Sequence, residues 1–81
     1  MILANAGNVV TPAIKALIDL DFEVSKDAKI NSFTATKNGN TFVDEDPVVV
    51  LGLVKLYEAR GENWRISDED LESIGQRYGL L

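Results

Sequence analysis

Apolar positions along the chain change their spacing repeatedly, and each change marks an element. Between Thr11 and Leu20, Ile14, Leu17 and Ile18 recur at helical spacing with Ala13 and Ala16 beside them, which predicts a short helix. Thr11-Pro12 is its expected entrance: threonine can accept from the free amides of a first turn, and proline at the first helical position gives up no hydrogen bond. From Phe22 the period drops to two. Phe22 and Val24 alternate with Glu23 and Ser25, predicting a strand, and SKDAK then supplies turn residues before Ile30.

The segment FTATKNGNTFV predicts a hairpin turning at Asn38-Gly39, because a type I′ turn needs positive φ at both central residues. A two-residue loop sets Ala35 opposite Phe42 and Thr34 opposite Val43. Phe33, Ala35 and Phe42 then share one face, with Thr34, Thr36, Thr41 and Val43 on the other. The apolar face requires cover. Ile30 is out of phase with Phe33, so a bulge or a strand start is expected between them.

Asp46-Pro47 opens a second helix by the same capping logic, with Asp44 and Glu45 adding negative charge near its N-terminus and Gly61 expected as a left-handed cap. On a wheel of Pro47 to Arg60, Val49, Val50, Leu53, Val54, Leu56 and Tyr57 fall in one broad arc, read as core. Val48, Leu51, Gly52 and Ala59 lie opposite, beside Lys55 and Glu58, which leaves too little polar surface for a simple one-sided helix. Two explanations compete. Either another helix packs there, with Gly52 and Ala59 letting backbones approach, or Val48, Leu51, Gly52 and Lys55 form part of a homodimer or partner face.

Ser67, with Asp70 three residues on, predicts a third helix; Leu71, Ile74 and Tyr78 line one face of it until Gly79, and Leu80 is placed to fold back on the last turn. The expected fold is α+β, in the order α-β-β(-β)-α-α: a small two- or three-stranded antiparallel sheet covered by about three helices, one compact domain over residues 1–81. Tyr57 and Tyr78 are expected in the core with wet hydroxyls.

Composition narrows the chemistry. Hydrophobic residues make up 46% and charged residues 26% of the 81 positions, a globular balance. A chain of that length is expected to bury roughly 60% of its unfolded surface. Cysteine and histidine are both absent, which removes the thiolate nucleophile, the commonest general base and the preferred zinc ligands. Asp19, Asp21 and Glu23 start like a calcium loop, but Val24 stands where its glycine belongs and Ile30 where its bidentate glutamate belongs. The glycines are isolated and form no phosphate cradle. No catalytic, cofactor-binding or metal-binding residue is expected.

The net charge of −5 lies entirely in the second half: Met1 to Val43 holds four acids and four bases, whereas Asp44 to Leu81 holds nine acids against Lys55, Arg60, Arg65 and Arg77. An acidic surface repels phosphates, so neither nucleic acid nor an anionic membrane is an expected partner. Lys26, Lys29 and Lys37 fit the edge lysines that discourage strand pairing. MILANAG lacks the basic start of a secretory leader, and no apolar run approaches the roughly eighteen residues that cross a bilayer. The expected location is the cytoplasm.

Trp64 follows the second helix in RGENWRIS, between Arg60 and Arg65. It fits a plug between the second and third helices, with its N–H on a carbonyl and an arginine on its ring, or an interface anchor with Arg65. The expected function is that of a non-catalytic protein-interaction module. It would self-associate or bind a protein through the Val48, Leu51, Gly52, Lys55 side or through the Trp64–Arg65 loop. The alternative is an inhibitor of the antitoxin or immunity type, with Glu58, Glu62, Asp68 and Glu69 occupying a basic site in another protein.

Overall fold

A three-stranded antiparallel meander, β1 (Glu23–Asp27), β2 (Ser32–Lys37) and β3 (Asn40–Asp44), forms the centre of the computed structural model, which describes residues Met1–Leu81. Asn38 and Gly39 take φ of 53° and 79°, and the hairpin register sets Ala35 against Phe42 and Thr34 against Val43. Turn chemistry alone therefore determined which residues face the core. Between β1 and β2 the Asp27 carboxylate accepts from the Lys29 amide at 3.0 Å, and Asn31 has a φ of 50°. Ile30 sits exposed in that turn, and the strand starts after it.

Helices α1 (Val10–Asp19) and α2 (Pro47–Arg60) pack along one another on the apolar face of the sheet, α1 against β1 and α2 against β2 and β3. With α3 (Asp68–Arg77) this completes the expected α+β order, α-β-β-β-α-α. The entrance to α1 differs from the Thr11-Pro12 expectation. A 3-10 turn over Gly7–Val9 leads directly into Val10, no side chain caps the helix, and Pro12 falls within the first turn. Its missing N–H is still one that no helix would satisfy. Asp46 caps α2 as expected, its carboxylate accepting from the Val48 amide at 2.8 Å with Pro47 first in the helix.

The core is small: Leu17, Ala35, Val50 and Val54, flanked by half-buried Phe22, Val24, Phe33, Phe42 and Leu51. Phe42 holds an edge-on row with Phe22 at 5.9 Å and Tyr57 at 5.8 Å between ring centroids. Tyr57 thus joins the core margin, and Asn40 donates to its hydroxyl at 3.4 Å. Tyr78 does not; it is exposed on α3.

The buried line of α2 runs through Pro47, Val50 and Val54, turned from the arc expected on the wheel. Leu51 is drawn inward between α1 and α2, whereas Val49 and Leu56 are turned out. α2 is apolar almost all round, so its own pattern carries no direction, and the neighbours on either flank set the rotation.

Two of the three helices cover the sheet. α3 stands away from it, with no buried residue except Gly75, which the side chain of Leu81 overlies; Leu81, rather than Leu80, is the residue that folds back. The accessible surface is 6446 Å², about 1,600 Å² more than the roughly 4,800 Å² of a folded monomer of this mass. About half of the unfolded surface is buried, below the expected fraction. The radius of gyration, 14.7 Å, likewise exceeds the roughly 12 Å of a compact domain of this length. No helix is long and apolar enough to cross a membrane.

Candidate protein interface

Of the residues singled out in the sequence, Val48 and Leu51 come together. They line one side of an apolar groove of about 540 Å³, with Val9, Pro12 and Ala13 on the α1 side and Leu3 in the N-terminal segment. The segment lies over the start of α2, where the Asn5 amide reaches the Asp46 carboxylate at 3.5 Å. Two asparagines, Asn5 and Asn8, are the polar residues of the lining, which holds no ionisable group. Such a surface offers apolar contact and no charge to anything laid against it.

Gly52 and Lys55 stay outside the groove. A methyl group added at Gly52 would meet nothing within 4 Å, so no backbone approaches there, contrary to the close-packing explanation. The neighbouring helix touches the Leu51 flank instead. Lys55 is exposed one helical turn beyond Leu51 and has no ion-pair partner; the one ion pair in the chain joins Lys15 to Asp19 at 2.6 Å.

Trp64 and Arg65 form a separate surface on the other flank of α2. The Arg60 Nε donates to the Trp64 carbonyl at 2.9 Å and its Nη2 to the Arg65 carbonyl at 3.4 Å, which clamps the chain just after the helix. Gly61 permits this turn with φ 71° and ψ −157°, extended in ψ where an ordinary left-handed cap was expected. The indole faces Phe42, Val43, Leu53, Leu56 and Tyr57 around a cleft of about 310 Å³. It remains 44% exposed. The expected arginine stack is present, the Arg65 guanidinium lying 4.3 Å from the ring centroid. The plug between α2 and α3 is not: no residue of α3 lines this cleft, and no carbonyl receives the indole N–H.

The lysines near the sheet are largely engaged within the chain. Lys37 donates to the Leu20 carbonyl at 2.7 Å and lies 5.4 Å from the Phe22 ring; Lys26 lies 5.2 Å from the Phe33 ring.

The sequence places Leu71, Ile74 and Tyr78 on one face of the third helix, with Tyr78 expected in the core, and the structure leaves all three exposed, at 56%, 47% and 67%. They form an unpartnered stripe on a well-terminated helix. Ser67 accepts from the Asp70 amide at 3.1 Å, and the C-terminus closes with Leu80 N–H to Gly75 at 2.7 Å and Gly79 N–H to Gln76 at 3.3 Å. The spacing of the stripe was legible; the failure of α3 to dock depends on where the chain leaves α2.

Comparison with protein families, with curated proteins and with solved structures found no match for this chain.

Proposed function

We propose that the chain is a non-catalytic protein-interaction module that self-associates. The surface excess carries this reading. About 1,600 Å² beyond the norm for the mass is twice the roughly 800 Å² that each partner contributes to a standard interface. The excess is apolar where it matters: the α1–α2 groove is open and lined by half-buried Val9, Val48 and Leu51, and the stripe on α3 and Met1 to Leu3 are exposed. Scattered single apolar residues need no partner, but continuous ones do.

Sedimentation equilibrium over a concentration series tests the reading. The mass should rise from that of one chain towards that of two, and a strictly monomeric profile to the highest soluble concentration would exclude self-association. Leu51→Asp is a poor probe, because Leu51 also touches the core and a charge there would loosen the fold.

A second reading rests on charge. None of the nine acids from Asp44 onward is ion-paired within the chain, so the second half presents an uncompensated acidic surface. That surface suits a basic protein site of the kind an antitoxin or immunity protein occupies. A pull-down would then retain a basic protein at low salt and release it as the salt rises. Retention independent of salt would exclude that reading.

A further inference from the structure

We propose that the α1–α2 groove is filled by α3 of a second copy of this chain, so that two copies exchange their C-terminal helices reciprocally. This rests on the self-association reading and names its contacts. α3 is a helix of only ten residues. At that length an isolated helix is marginal in water and gains its stability from a packed face. Its face is ready, with Leu71, Ile74 and Tyr78 at the i, i+3, i+7 spacing of a seam. The groove offers a seat of matching character, and an amphipathic helix laid into an apolar groove is a recurrent mode of recognition.

The path of the chain favours a second copy over docking within one molecule. α3 is tethered by the short segment Trp64 to Ser67, which lies on the flank of α2 that carries Leu53 and Leu56. The groove lies on the flank that carries Val48 and Leu51. To reach its own groove, α3 would have to cross α2, pull Trp64 from its cleft and break both bonds from Arg60. A second copy receives the helix with that clamp intact. Exchange of one element between identical chains is a low-cost route to a closed dimer.

Area and charge favour exchange over simple pairing of one α3 with another. A ten-residue helix presents a strip about 15 Å long and about 10 Å wide, and pairing of α3 with α3 buries only that strip on each chain. Reciprocal exchange uses the strip and the groove of each chain, which doubles the contact. Lys55, exposed and unpaired one turn beyond Leu51, is opposite in sign to the acidic first turn of α3, Asp68, Glu69 and Asp70. That orients the incoming helix with its N-terminus at Lys55 and Tyr78 towards Leu3.

The absence of native cysteine makes the test direct. Leu51→Cys and Ile74→Cys are made as separate variants, checked for wild-type far-UV dichroism, mixed, and treated with a short bis-maleimide. Exchange predicts a covalent dimer that contains one chain of each variant, formed in several-fold excess over the product of either variant alone. Val48→Cys with Ile74→Cys repeats the test if the change at Leu51 loosens the body. Preferential self-linking of Ile74→Cys would replace exchange by pairing of α3 with α3. An internally linked monomer from the double variant would place α3 in its own groove. No linking of either pair, while the wild type still sediments as a dimer, would overturn exchange and leave self-association standing. A monomeric wild type would remove both.

Discussion

Two glycines in and after α2 have opposite roles. Gly52 is helical with open space around it, so nothing in the structure requires a glycine there. Gly52→Ala should stabilise the chain by about 0.5–1 kcal/mol through lower unfolded-state entropy and better helix propensity. A thermal melt at fixed concentration checks it, and a lowered midpoint would mean that something does approach this position. Gly61 has equally open space but a backbone conformation that is essentially restricted to glycine. Gly61→Ala should therefore cost about 1–3 kcal/mol, from backbone strain alone. It should also release the Arg60 clamp, which quenching of Trp64 fluorescence by iodide would register as greater accessibility. Residues of this kind were legible where local chemistry decides: Asn38-Gly39, Asp46-Pro47 and Ser67 all act as their side chains predict. Leu51 was legible only as one of two alternatives, packing under another helix or facing a partner, and α1 lying beside it decides for the first.

Helices with similar caps differ in what those caps support. Asp46 caps α2, which contributes Val50 and Val54 to the core, so Asp46→Ala should lower global stability by about 1 kcal/mol. Ser67 caps α3, which contributes nothing to the core. At a concentration where sedimentation shows single chains, Ser67→Ala should reduce helical far-UV dichroism and leave the thermal midpoint of the body unchanged. A midpoint shift as large as that of Asp46→Ala would show that α3 supports the body. Element existence and order could be read because periodicity and capping are local. The rotation of α2 and the detachment of α3 could not. An all-round apolar helix has no preferred direction of its own, and a helix with one apolar stripe docks only if its tether points it at a seat.

At the scale of the whole molecule, the four-residue centre of Leu17, Ala35, Val50 and Val54 is slight for a chain of 81 residues. The proposed self-association would add burial and stabilise the folded form by mass action, so on that proposal the thermal midpoint should climb with protein concentration. A midpoint constant over a range of about 100-fold would exclude coupling of folding to association, since ligand linkage of ordinary strength is visible over that span. The uneven charge adds a condition. If Lys55 guides α3 into place, added salt should weaken the dimer, because exposed charge pairs are screened at high ionic strength.

By itself, the sequence determined the α+β class, the order of elements, the register of the β2–β3 hairpin and the ends of α2 and α3. Each of these follows from interactions between residues close in the chain. Tertiary structure alone decided that Leu51 turns inward, that Val48 joins Leu3 and Pro12 in a groove, and that Trp64 fastens to the β3 side and sends α3 away from the body. Those outcomes depend on contacts between distant segments, and hydrophobic attraction, being without direction, takes its geometry from whichever surfaces the chain path brings within reach.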